Sequence, residues 1–167
     1  MAVDMFIQIE GIKGDSTDSK HKEWIEVLSF EHSIAQATGG AHSAQGTHAG
    51  GRADFSDFSI TKRLDSASPV LAKYCSDGKP IPKITFELCR AMGDKTCFMR
   101  YTLEETIVSS YRPAGHSQGD DAVPLESIGL HFGVIKYEYT PTDAKGGGKS
   151  GAAIKSGWST FENKPVS

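Results

Sequence analysis

Cysteine is scarce and oddly placed. The three in 167 residues, Cys75, Cys89 and Cys97, are unpaired in number and follow no spacing of a disulfide framework or a metal site. An excess of positive charge is missing too. Eighteen Lys and Arg stand against 21 Asp and Glu, a net charge of −3, and the basic residues are scattered. That balance excludes nucleic acid or an anionic membrane surface as the main partner. No apolar run approaches the length of a membrane span, so no membrane insertion is expected. The opening Met1-Ala2-Val3-Asp4 carries no basic segment followed by an apolar core, since Asp4 interrupts it, and no Sec-type signal is expected. The expectation is folding in the cytoplasm, with any export by another route. Hydrophobic residues at 38% and charged ones at 23% are ordinary for a globular chain with long polar loops, and residues 1–167 are expected to form a single domain.

What is present is alternation of period two, with one helix among the strands. Met5, Ile7 and Ile9 alternate with Phe6, Gln8 and Glu10, a strand with one apolar face. Trp24 to Ile34 alternates with apolar residues on both faces, so cover on both sides is expected. Phe58 and Ile60 mark another strand, and Ile84, Phe86 and Leu88 the next. Residues 91–95 read as a turn from which the strand at Cys97 returns as a hairpin. Adjacent Ile107 and Val108 suggest a bulge. Leu125 to Tyr139 reads as one long strand that changes phase after Val134, with Gly129 and Gly133 as bulge candidates. Trp158 to Glu162 can form a last strand. Between strands, Ser68 is the expected N-cap, Pro69 the first helical residue and Gly78 the stop, with Val70, Leu71, Tyr74 and Cys75 on one face. A helix this short must lie against an apolar surface. The fold class is therefore mainly β: about seven or eight antiparallel strands in a closed or nearly closed barrel or sandwich, with one short α-helix. Ala35 to Gly51, rich in glycine and with nothing to bury, is expected as a long protruding loop, either a mobile surface loop or an arm ordered by a neighbouring subunit.

Catalytic and binding motifs do not assemble. Gly115-His116-Ser117-Gln118-Gly119 matches a nucleophile-elbow pattern, but a strand, not a helix, follows Ser117. Gly146 to Ser150 resembles the end of a phosphate loop, but Asp143 stands where the first glycine is needed. His42 and His48 lack acidic or thiol partners for a tetrahedral metal set. Glu104 and Glu105 point to opposite faces of a strand. No enzyme, no cofactor and no bound metal are expected. A monomeric small-molecule-binding β-barrel is the alternative, and it needs an enclosed apolar interior.

Several stretches together resemble the Hcp proteins, the inner-tube subunits of the bacterial type VI secretion system. These are Met1 to Ile7, Ile25 to Phe30, the glycine-rich loop, the Ser68-Pro69 helix start, Ser76-Asp77-Gly78-Lys79, Thr102 to Ser110, Gly157-Trp158-Ser159 and Asn163. The resemblance implies a phage tail-tube-like fold, homohexameric rings stacked into a tube, and export without a signal peptide from the cytoplasm to the exterior. It implies spike, sheath and baseplate proteins as partners, and small effector proteins carried and stabilised in the lumen. Carried over by position, Ala35, Thr38, Gly40, His42 and Gln45 are the ring-stacking candidates, and Ser29 and Glu31 the lumen and effector contacts. Some members carry a toxin domain; none is expected after Asn163, where Lys164 to Ser167 remain.

Overall fold

A computed structural model of the chain describes residues 2–38, 50–91, 95–117, 123–143 and 148–167. These form strands β1 (Val3–Ile9), β2 (Ile25–Val27), β3 (Ser29–Glu31), β4 (Ile34–Thr38), β5 (Gly50–Phe55) and β6 (Phe58–Arg63), and helix α1 (Ser68–Asp77). After the helix come β7 (Ile81–Arg90), β8 (Cys97–Ala114), β9 (Leu125–His131), β10 (Val134–Tyr139), β11 (Ile154–Ser159) and β12 (Lys164–Pro165).

One sheet runs β12-β11-β10-β8-β7-β1-β2, and a second runs β3-β6-β9-β8, so the 18-residue β8 belongs to both. The expected alternating strand over 24–34 breaks at Leu28: β2 pairs with β1, while β3 pairs with β6. The Leu28 N–H donates to Thr61 O at 2.8 Å at this corner. The circuit of strands thus returns on itself through the covalent chain, not through a hydrogen-bonded ladder. The architecture is antiparallel, mainly β and nearly closed, without being a continuous barrel.

The expected long strand over 125–139 is split at Phe132 and Gly133 into β9 and β10. Both halves nonetheless lie along β8: Val134 pairs with Glu104 and His131 with Ile107. The change of phase read from the sequence is real. Gly133 N–H donates to both Glu104 O and Glu105 O where the two halves meet, and Glu105 takes a φ of 51°. The bulge expected near Ile107 and Val108 falls between Val108 and Ser110.

Between the sheets lies an apolar core of Ile7, Ile9, Ile25, Phe58, Ile60, Ile84, Phe86, Leu103, Ile128 and Leu130. Phe58, Phe86 and Tyr101 fill its centre, with ring centroids 5.3–5.9 Å apart. β1 is covered on both faces, not one, because Phe6 stacks on His21 at 4.2 Å.

Helix α1 buries Leu71 and Tyr74 and packs Val70 and Cys75 on the core, as its pattern predicts. Gly78 closes it in the left-handed conformation, its N–H donating to Tyr74 O. The start differs from expectation. Ser68 is the first helical residue, Ala67 holds the cap position, and no side chain caps the helix. Ser68 is drawn away because its hydroxyl is buried: Oγ accepts from Asp65 N–H and donates to Glu126 Oε1 at 2.7 Å.

That Glu126 belongs to a buried polar cluster. Lys62, on the core-facing phase of β6, is fully buried and bonds Glu126, Asp65 Oδ1 at 2.7 Å and Arg63 O at 2.9 Å. Tyr111 OH donates to Glu126 Oε2 at 2.7 Å. Burial pushes the Glu126 carboxyl up, but the bonds from Lys62, Ser68 and Tyr111 outweigh it and hold it below its ordinary value. Burial and the Glu126 charge push the Tyr111 hydroxyl up to about 12.

Replacing Lys62 by Met strands a buried carboxylate, and urea unfolding should register a loss of about 3–5 kcal/mol. Adding Glu126→Gln, which removes the charge and keeps an acceptor oxygen for one of the two hydroxyls, Tyr111 or Ser68, should restore most of it. No recovery would assign the cost to packing instead of charge. The sign of the pH dependence follows from the shifts. A depressed carboxylate such as Glu126 contributes stability above its unfolded pKa of about 4.3, and this is lost as pH falls through the folded value. Tyr111, raised to about 12, contributes stability that is lost as pH rises above about 10. Thermal melts against pH should therefore show a plateau between these limits, with tyrosinate absorbance marking the alkaline arm.

Candidate functional site

The two lumen candidates, Ser29 and Glu31, sit on β3 with exposed side chains, while Phe30 between them turns to the core. The register extends them into rows across the second sheet. Ser29 lies opposite Thr61, which lies opposite Ser127, which lies opposite Arg112. Glu31 lies opposite Ser59, then Gly129, then Ser110. Alternation does the rest. The same strands send Phe58, Ile60, Ile128 and Leu130 inward, so the outward face is left with small and polar side chains. Ile107 and Leu125 add partly exposed apolar groups near its margins.

At one end of this face Asp57 accepts from Ser109 Oγ at 2.6 Å and pairs with His131 Nδ1 at 2.8 Å. Burial pushes the Asp57 carboxyl up, yet the bonds from Ser109 and His131 prevail and hold it low. The three residue types are those of a hydrolase triad, but the order is wrong. The serine donates to the carboxylate, and among the described residues no imidazole is hydrogen-bonded to it as a base. Ser117 fares no better: it is exposed beyond the end of β8, and the next described element is strand β9.

Of the stacking candidates, Ala35 is exposed on β4, and Thr38 pairs through its backbone with Gly50. Gly40, His42 and Gln45 lie outside the described residues, as does His48. The expected loop over 35–51 is therefore a two-stranded arm at its base, β4 against β5, because Ile34, Ala35 and Gln36 pair with Phe55, Asp54 and Ala53. Arg52 donates to Thr160 O and ties this arm to the end of β11. The groove there, about 540 Å³, is lined by Phe55, Phe132, Trp158 and Phe161 among others.

The sequence reading missed one cluster. Cys89 and Cys97 face each other across the β7–β8 hairpin and are joined as a disulfide, against the expectation of no disulfide spacing. The signal was present in the hairpin itself. The turn expected from the sequence over 91–95 puts Gly93 four residues from each cysteine. His21 lies beside them, its Nδ1 2.8 Å from Asp18 and its Nε2 2.8 Å from Glu87. Lys95 bonds Asp18 and holds its carboxyl well below the ordinary range, and is itself raised by that pairing. Arg100 bonds the other oxygen of Glu87 at 2.6 Å.

Among the described residues no helix is long and apolar enough to cross a membrane. A family profile described as "Type VI secretion system effector, Hcp" matches residues 6–139. The chain is 37% identical over 164 residues to protein hcp1 of Pseudomonas aeruginosa, covering 98% of each. It superposes on a solved structure described as a type six secretion system protein with a TM-score of 0.91, at 34% identity, covering 99% of this chain and 100% of that one. Hcp1 from Salmonella typhimurium gives a TM-score of 0.80 at 32% identity, with the same coverage. This family is structural and not enzymatic. By profile, sequence and fold together, the chain belongs to the Hcp family of type VI secretion system tube proteins.

Proposed function

We propose that residues 1–167 act as one tube domain, six copies of which close into a ring with the face of Ser29 and Glu31 toward the channel. The rings stack into a tube that leaves the bacterial cytoplasm through the secretion apparatus without a signal peptide. Small effector proteins ride in the lumen, and spike, sheath and baseplate proteins are its assembly partners. The observation that carries this reading is the outward face of β3, β6, β9 and β8. A sheet covered by core on one side and by Ser, Thr, Arg and Glu rows on the other suits a water-filled channel. Exposed Ile34 and Ile154, at 50% and 67%, and Phe161 at 69% suit surfaces covered by other subunits. The β4–β5 arm, with Ala35, Thr38 and then Gly40, His42 and Gln45 at or beyond its described end, is the element assigned to stacking.

A monomeric ligand-binding barrel needs an apolar interior open to a guest. Here Phe30, Phe58, Phe86 and Tyr101 occupy the space between the sheets. The tube reading is the better supported.

Light scattering on the purified protein, with negative-stain imaging of the same peak, should give the mass of six subunits and ring-shaped particles. A monomer at every concentration would overturn the ring. Within the ring, Glu31 supplies one carboxylate per subunit to the channel and disfavours acidic cargo. Glu31→Ser should raise retention of an acidic effector relative to a basic one by a few-fold, since an exposed charge contributes about 1 kcal/mol or less. Co-purification unchanged for both kinds of effector would remove Glu31 from the lumen.

A further inference from the structure

Away from the channel face, His21, Glu87, Cys89 and Cys97 bring one nitrogen, one carboxylate and two sulfurs together, their ligand atoms all within 4.8 Å of one another. The elements that do this are unrelated in sequence. His21 comes from the loop before β2, Glu87 and Cys89 from β7, and Cys97 from the first residue of β8. His21, Glu87 and Cys89 are buried, while Cys97 is half-buried and lines a groove of about 480 Å³ with Trp24, Phe98 and Arg100.

We propose that the dithiol form of this chain binds one zinc-class divalent cation through His21 Nε2, the Glu87 carboxylate, Cys89 Sγ and Cys97 Sγ. The donor chemistry selects the ion class. Two thiolates, one imidazole and one carboxylate make a four-coordinate set for a borderline-soft cation, and two sulfurs in four disfavour calcium and magnesium. Distances agree. Around a tetrahedral zinc, bond lengths of about 2.0 Å to nitrogen and 2.3 Å to sulfur separate the two donors by roughly 3.6 Å. His21 Nε2 lies 3.9 Å from Cys89 Sγ and 3.8 Å from Cys97 Sγ.

The surroundings orient the donors independently of any ion. Asp18 accepts from His21 Nδ1 at 2.8 Å, the carboxylate–histidine pairing that turns the other ring nitrogen to a metal. Arg100 holds Glu87 Oε1 at 2.6 Å, leaving Oε2 directed at His21 Nε2. Two thiolates and a carboxylate around a divalent cation leave one negative charge, and Arg100 and Lys95 stand beside it.

The disulfide and the metal exclude one another, because a disulfide sulfur has no anionic lone pair to offer. A phosphine reductant opens the site: it takes its oxygen from one water, whose two protons go to the two sulfurs. Metal binding then releases to solvent both thiol protons and the proton shared between His21 Nε2 and Glu87 Oε2. The same pair of cysteines therefore has a disulfide form without metal and a dithiol form with it.

The test uses the full chain, reduced with a phosphine, freed of excess reductant without air, and titrated with cobalt(II) and with zinc against a chromophoric chelator. One ion per chain is expected. Cobalt should show a thiolate-to-metal charge-transfer band and the intense visible bands of tetrahedral coordination, and zinc should displace it. The oxidised chain should bind neither. Cys75→Ala should bind as the parent does. Cys89→Ser with Cys97→Ser should abolish the charge-transfer band, and Asp18→Asn, a positioning change, should weaken zinc 10–100-fold. Absence of uptake by the reduced chain, uptake equal in its oxidised form, or charge-transfer intensity unaltered in the double serine variant would each overturn the proposal. The comparison of reduced with oxidised parent needs no substitution, so misfolding of a variant leaves the test intact. None of these readouts depends on ring formation.

Discussion

The length of β8 constrains everything around it. Eighteen residues of strand would extend about 60 Å, whereas a 167-residue domain is only about 40 Å across. The strand must therefore bend out of its first sheet into a second. The left-handed backbone at Glu105 and the register shift after Val108 are where it does so. Its partner bends at the same level, at Phe132 and Gly133, so that Gly133 N–H can serve both Glu104 O and Glu105 O. β7 and β10 flank the first half, and β9 flanks the second. Two sheets facing across one core follow from a single strand too long for either.

The buried charges join the second sheet to helix α1. Lys62 occupies a position that alternation along β6 would give to an isoleucine, and Glu126 occupies the matching phase of β9 beside Ile128 and Leu130. Neither could be buried alone. Together, with Ser68 from the start of α1 and Tyr111 from β8, they bond four elements at one point. Replacing such a set with apolar residues can be neutral for stability, so its effect lies in register: only one alignment of β6, β9 and α1 satisfies every member.

Alternation made most of this fold legible before any coordinates. The strands at Ile7, Ile60 and Phe86, the phase change near Val134 and the stop at Gly78 are local facts, and local facts can be read from neighbouring residues. The errors come from pairings that no single strand or helix contains. Ser68 looks like a cap until Glu126, 58 residues away, claims its hydroxyl. Phe6 looks solvent-facing until His21 stacks on it. Cys89 and Cys97 look unrelated until the hairpin register sets them opposite. For Ser68 and Phe6 a partner farther along the chain outweighs the local pattern; the two cysteines, eight residues apart, are joined by hairpin register. The second sheet's outer face was legible only in part: Ser29 and Glu31 came from resemblance, while Thr61, Ser127 and Arg112 joined them through cross-strand register, which no single strand contains.

The distribution of polarity on the surface bears on assembly. Exposed apolar residues on a soluble protein are normally scattered singly over its surface. Here the rows on β3, β6, β9 and β8 are centrally polar, with Ile107 and Leu125 exposed at the margins, and the most exposed apolar groups lie elsewhere: Ile34 at the arm, Tyr139 opposite Ile154 on β10 and β11, and Phe161 before β12. A closed head-to-tail ring requires two unlike surfaces on each subunit, one to meet the other on its neighbour. The first sheet ends in two unlike edges, the three-residue β2 on one side and β11 with the short β12 on the other. In the ring proposed above, edges covered by neighbouring subunits would bury these apolar groups, and the polar centre of the second sheet would face water.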